Sequence, residues 1–480
     1  MLSVISGIRC PCITRLVDLL ALLVLRSVPQ TRQRACPSET RVPQVGHNWV
    51  ELVGSFPVVI GDAHYTSLQP LPEWKNIFKC YTHLMVPHSL YLHIPFCRHR
   101  CGYCDFNTYA GLEDLIPVYG QALKREIEAF SAAAGNHLSV HTIFFGGGTP
   151  SLLPISVLQP IIQSIEHHFD LVGQTEITLE LNPGTVDQTY FHGLKELGFN
   201  RLSMGVQSAS PEELRLLERE HSFSHAIQAV KQARLAGFEN INLDLIFALP
   251  HQTLPSWQNT LQLALGLQPE HLSLYALTVE HGTPLQHMID RGLFSLPDPD
   301  LAADMYNWSQ EYLASHGFQQ YEISNWAALE SNGQPMMSRH NFQYWRNHPY
   351  IGLGAGAHGY VHNVRTSNVL TPAAYIERLS HPRACDFPAT PASIQTKPVD
   401  RPTEMSETMM MGLRLVRDGV SDRYFNQRFG VSLEQAFSQE ISELRRSGLL
   451  EWHSDDNGRS LRLTSHGRLL GNQVFMRFLN

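Results

Sequence analysis

No stretch of this 480-residue chain is apolar for long enough to cross a bilayer, which takes about 20 residues. A short apolar run near the start, Leu19 to Leu25, falls well short of that. Positive charge is also scarce. Lys and Arg total 36 against 44 Asp and Glu, a formal net charge of −8. That balance does not favour a phosphate backbone, so nucleic acid is excluded as the main partner, and membrane contact is at most peripheral. Cysteine is too sparse for a disulfide scaffold: the eight are Cys10, Cys12, Cys36, Cys80, Cys97, Cys101, Cys104 and Cys385. The 25 histidines are scattered rather than clustered.

What is there begins unevenly. Residues 1 to 44 hold six arginines and two acids, Asp18 and Glu39. An acid-poor, arginine-bearing start fits a transit peptide, and a short apolar run after a charge fits a signal peptide. The plainer expectation is a poorly ordered extension over 1–84, with Met85 as an alternative start. A cytoplasmic location is expected, or an organellar one if residues 1–84 act as a transit peptide.

From Leu90 a rhythm sets in. Strand candidates at 90–96, 141–147, 176–183, 201–208, 241–250 and 271–280 alternate with helical stretches at 115–133, 155–169, 185–197, 211–219, 225–236 and 254–267. In the first helix Leu115, Val118, Tyr119, Leu123, Ile127 and Phe130 are expected on the apolar face. Strands separated by helices predict parallel βαβ units, and six units predict an open, partial barrel. Polar and glycine-rich features fall repeatedly at the C-terminal ends of these strands: the cysteine loop, Gly146 to Thr149, Glu180 to Pro183, Gln207 with Ser208, and Asp244. Active sites of such folds collect there.

The later chain is less regular. It carries a helix at 301–315, "HNFQYW" at 340–345 and "GLGAGAHG" at 352–359. Prolines between Pro382 and Pro402 read as a linker. Residues 404–480 read as three helices and a hairpin turning at Asp455–Asn457–Gly458, a winged-helix-like α+β pattern without a basic stripe, hence a packing or docking module. The expected division is an extension at 1–84, a core at 85–285, a second extension at 286–400 and a C-terminal unit at 401–480.

Cys97, Cys101 and Cys104 stand as C-x3-C-x2-C, and Phe106 occupies the next regular position. Thiolates select soft metals. A Cys3His zinc site with His93 or His99 would close such a set. An iron–sulfur cube would keep one iron without a protein ligand, free for a substrate or cofactor. Inert buried thiols are the third reading. "GGGTPS", 146–151, reads as a tight turn with Thr149 or Ser151 capping a helix, or as a backbone cradle for a ligand. Glu180, Gln207, Arg219 and Asp244 are polar groups at or just after strands. Each alone is structural, but together they suit a polar, zwitterionic ligand.

These stretches, with "LELNP", "LLEREHS", "LDLIFALP" and "HLSLYALTVEHGTPL", resemble the HemN/HemW branch of the radical S-adenosylmethionine (SAM) superfamily, from about Leu90 onward. The resemblance implies an α/β partial (βα)6 barrel with a [4Fe–4S] cluster on Cys97, Cys101 and Cys104. It implies SAM on the fourth iron, with electron transfer able to cleave it to methionine and a 5′-deoxyadenosyl radical. It assigns SAM to Tyr91, Gly147, Gly148, Thr149, Glu180, Gln207, Arg219, Asp244, Tyr275 and Leu277.

The oxygen-independent coproporphyrinogen III oxidases of this group carry another cysteine where this chain has Phe106. "HNFQYW" matches the H-N-x-x-Y-W pattern of the HemW haem chaperones. His340, Asn341, Tyr344 and Trp345 are therefore the haem candidates, with His358 a rival ligand. Taken alone, the motif reads as a segment packing the C-terminal unit on the barrel. The expected activity is haem binding and delivery to a respiratory haem protein, with an electron donor such as ferredoxin or flavodoxin. Coproporphyrinogen oxidase is the second expectation, and a zinc-stabilised binding protein the third.

Overall fold

The computed structural model describes residues 87–480 except Pro382, Asn457 and Asn480, so the expectations for residues 1–84 lie outside the described residues. Six parallel strands cross a sheet in chain order: His88–Ile94, Leu138–Gly147, Phe169–Leu181, Arg201–Gln207, Ile241–Phe247 and His271–Ala276. Helices Ile116–Ala134, Ile155–His168, Gln188–Glu196, Phe223–Leu235 and Leu254–Leu265 return the chain between them. The first and sixth of these strands do not pair with each other, so the barrel is partial. Tyr350–Leu353 adds another parallel strand outside the first. Antiparallel strands extend both sides, His358–Val361, Val364–Asn368 and Ser393–Pro398 on one and Asn325–Ala328 and Phe318–Glu322 on the other.

Strand alternation explains both faces. Leu90, Leu92 and Ile94 have no exposure, and neither do Leu202, Met204, Val206, Leu243 and Leu245. Each such side chain contributes roughly 1.5–3 kcal/mol by leaving water. The alternate positions are polar: Glu180, Arg201 and Ser203, Asn242 and Asp244, Ser273 and Tyr275. These positions wall a cavity instead of meeting helices.

In helix Ile116–Ala134 Tyr119, Leu123, Ile127 and Phe130 are buried, as their spacing demands. Val118 is not; it is 49% exposed, because it lies off the stripe set by Tyr119 and Leu123. The helix ends at Gly135, whose φ of 71° suits a left-handed cap.

The same helix buries Glu126 completely. Its carboxylate accepts from Gly354 N, Asn368 Nδ2, Tyr375 OH and Thr390 Oγ1, all at 2.6–2.7 Å. This overturns the linker expectation for 382–402. Thr390 is tied to the barrel helix, and Ser393–Pro398 pairs with Val364–Asn368. Within "GLGAGAHG", residues 354–357 are the turn between two strands, and Gly354 N docks it on Glu126. At Gly354, φ is 104° and a Cβ would fall 2.4 Å from the His93 carbonyl oxygen.

The C-terminal hairpin joins Leu450–Asp455 to Gly458–Leu463 with Asp455 opposite Gly458. Val420–Ser421 adds a third strand, and helices Arg401–Gly412, Asp422–Phe429 and Ser438–Arg446 accompany it. Met409, Leu413, Phe425 and Leu461 belong to its own core. Arg428, fixed within this unit by Glu404 at 2.6 Å, reaches the rest of the chain by donating to Asn347 O at 2.9 Å.

Candidate functional site

The polar strand face lines a cavity of about 580 Å³. Part of its wall is the cysteine loop, which leaves the first barrel strand. Phe96–Cys97 pairs with Tyr109–Ala110 and closes the loop at its base. The loop is also held by the His93 ring, whose Nε2 lies 3.0 Å from Asn107 O, and by Asn107 Nδ2, which donates to Ala355 O at 3.2 Å. Cys97, Cys101 and Cys104 are unpaired, half-buried and all on the cavity wall. Thr149 Oγ1 donates to Cys97 Sγ at 3.6 Å, and Arg219 Nη1 donates to Cys101 Sγ at 3.7 Å. Burial pushes both thiols up; the Arg219 charge opposes this at Cys101. Among the described residues no three His, Cys, Asp or Glu side chains converge as ligands of a single ion, so the thiols form a shared wall and not a closed shell. Phe106, 64% exposed, borders the same cavity.

The glycine run sits at the end of the second strand. Gly147 has φ 118°, and a Cβ there would fall 2.6 Å from the His93 ring. A Cβ on Gly148 would fall 2.5 Å from Phe96 O. The run is thus a tight turn, and it also faces the cavity, with Thr149 beside Cys97.

Two acids lie on the inner face. Glu180 Oε2 accepts from Gly147 N at 3.0 Å. Burial, helped by the charge of nearby Asp244, pushes the Glu180 carboxyl up to about 7. Asp244 lies within the fifth strand, not at its end, and accepts from Asn242 at 2.9 Å and Ser203 at 3.1 Å. Burial raises it too, against those hydrogen bonds. Arg219 Nη2 donates to Asn182 Oδ1 and to Gly205 O, the latter at 2.8 Å. Arg201, unnoticed in the sequence, is on the same wall. The ion pairs among the described residues include none of these four groups.

Gln207 adopts φ 67° where the register slips between Gly205 and Gln207. A non-glycine residue held there costs of order 1–3 kcal/mol, and the bulge aims its side chain at the cavity. Tyr91, Tyr275 and Leu277 complete the wall. Ser208 does not join it: it is buried and donates to Glu213 at 2.5 Å.

Helix Arg339–Trp345 carries "HNFQYW" and splits it. His340, Asn341 and Tyr344 face the cavity. The His340 ring nitrogens lie 2.9 Å from Thr142 Oγ1 and 3.1 Å from Tyr344 OH, and the ring stacks on Phe144 at 5.0 Å. Burial lowers His340 to about 3, so the imidazole is neutral and fully engaged. Trp345 turns away; the Arg414 guanidinium lies 4.4 Å from its ring. His358 is exposed and outside this cavity.

The cavity therefore joins three thiols with four carboxylates, Asp105, Glu180, Asp244 and Glu280, and three guanidiniums, Arg100, Arg201 and Arg219. Soft thiolates fit an iron–sulfur cluster. Acids suit ammonium and hydroxyl groups, and arginines suit a carboxylate. Arg201, Asn182, Ser203, Asn242 and Ser273 escaped the sequence reading. Asn182 stands in "LELNP" and Ser273 in "HLSLYALTVEHGTPL", and all five share the alternate phase of Glu180, Gly205 and Asp244.

Two family models match: the radical SAM superfamily at residues 91–264 and the HemN C-terminal domain at 399–470. The protein named heme chaperone HemW of Bacillus subtilis is 37% identical over 82% of this chain and 99% of its own length. Heme chaperone HemW of Synechocystis is 40% identical over 70% of this chain and 79% of its own. A radical S-adenosyl methionine domain-containing protein 1, mitochondrial, of Danio rerio is 34% identical over 80% and 84%. Among solved structures, coproporphyrinogen III oxidase (HemN) of Escherichia coli aligns with a TM-score of 0.67 over 82% of this chain and 90% of that one, at 23% identity. That likeness shows a shared fold.

Proposed function

The chain belongs to the HemW family of radical SAM proteins, and from that membership we propose that it is a haem chaperone that binds haem, a [4Fe–4S] cluster and SAM. The observation that carries the reading is the single cavity. It brings the three thiols, the acids and arginines of the inner wall and the His340–Tyr344 face together. Cys97, Cys101 and Cys104 would hold the cluster, which when bound supplies electrons to SAM. Glu180 and Asp244 would take ammonium and ribose hydroxyl groups, Arg219 the carboxylate, and Tyr275 with Leu277 the adenine. Gly147, Gly148 and Thr149 would border the methionyl part. His340, Asn341 and Tyr344 would meet the haem. For His340 to ligate iron, its bond to Thr142 or to Tyr344 must open. Haem would pass to a respiratory haem protein, with ferredoxin or flavodoxin as electron donor, in the cytoplasm or in an organelle. Among the described residues no helix is long and apolar enough to cross a membrane.

The test is an anaerobic haem titration of the reconstituted protein, followed by its Soret band, with coproporphyrinogen III decarboxylation assayed alongside. Saturable haem binding without decarboxylation is expected. Decarboxylation without stable haem binding would replace the chaperone with the oxidase, and zinc in place of iron in anaerobically purified protein would displace both.

A further inference from the structure

Arg201 is the fourth strand's first residue and one of the largest side chains with almost no exposure, 2%. Its Nε is buried and has no hydrogen-bond partner. Among the described residues it enters no ion pair of 4 Å or less, and Glu180 and Asp244 feel its charge only as a minor influence. Opposite it in the strand register, Thr178 carries a buried hydroxyl that also lacks a partner. Buried cations without a partner are costly, so such a group calls for an anion. The side chain borders the large cavity, so the anion can arrive there.

We propose that Arg201 is a carboxylate anchor of this cavity, gripping a ligand carboxylate with its planar fork. The proposal rests on the reading that the cavity takes SAM and haem, and it deepens that reading. Both ligands carry carboxylates: the amino-acid end of SAM and the propionates of haem. Arg219 lies beside Cys101 and bonds to Gly205 O. Arg201 precedes Gly205 by four residues, about 13 Å of strand. Arg201 and Arg219 line one cavity, so each can take a carboxylate, one from each ligand.

The experiment compares wild type, Arg201→Met and Arg201→Lys as reconstituted full-length protein. Each is melted without ligand, then titrated with SAM, with haem and with haem dimethyl ester. An arginine that waits for a ligand leaves the ligand-free melting temperature of Arg201→Met unchanged or higher. Its affinity for one carboxylate ligand should fall about 10–100-fold, and by a smaller factor in Arg201→Lys. If a propionate is the partner, haem binding falls while the dimethyl ester binds all three proteins alike. If SAM is the partner, SAM binding falls and haem binding does not. A lower ligand-free melting temperature, or unchanged affinities in both variants, overturns the anchor and leaves the proposed function standing. A wild type that binds neither SAM nor haem overturns both.

Discussion

Glu180 accepts a hydrogen bond from the Gly147 backbone N–H at 3.0 Å, so the glycine turn and the acid proposed for the same ligand are already joined. Burial and Asp244 hold this carboxyl up at about 7. A raised acid contributes stability that is present below its unfolded pKa, near 4.3, and is lost as pH rises through 7. Glu180→Gln should therefore flatten the loss of stability between pH 5 and 8, by up to about 3 kcal/mol. Urea midpoints of both proteins across that range check it. Wild-type SAM binding should tighten over the same interval as the carboxylate forms.

Cys101→Ala should abolish the cluster, because the two remaining thiolates cannot hold the cube. Iron and sulfide content after anaerobic reconstitution measures this. A full [4Fe–4S] spectrum in the variant would refute the ligand assignment.

Glu126→Ala should be among the most damaging substitutions outside the cavity. It strands Gly354 N, Asn368, Tyr375 and Thr390 as buried donors without their acceptor. A loss of roughly 3–5 kcal/mol is expected by chemical denaturation.

Trp345→Ala should lower stability by about 2 kcal/mol, through loss of its packing and of the Arg414 contact. SAM affinity should stay within about threefold, since Trp345 lies off the cavity. A large loss of SAM binding in a folded variant would contradict this.

The parts legible in the sequence were those with local signatures. Closely spaced thiols can only share a loop, and alternating βα runs gave all six barrel strands. Tyr350–Leu353 was missed because four residues carry too little period to read. Proline-rich 382–402 was misread because the bond from Thr390 to Glu126 spans 264 residues. "HNFQYW" was treated as one surface, whereas a helix turns successive residues by about 100° and sends Tyr344 and Trp345 to different neighbours. Arg201 stands first in "RLSMGVQS", where nothing in the local pattern marks it as part of the site.

The strands that flank the barrel also decide how the protein meets other copies of itself. A parallel barrel left open would offer bare edge groups beside the first and sixth strands. Here the edges are moved outward to Ser393–Pro398 and Phe318–Glu322. The first of these is mostly exposed and bears Lys397 and Pro398. A charge and a missing N–H both discourage another strand from adding on. The fold thus keeps its cavity open to ligands while guarding one of its sheet ends against edge-to-edge aggregation.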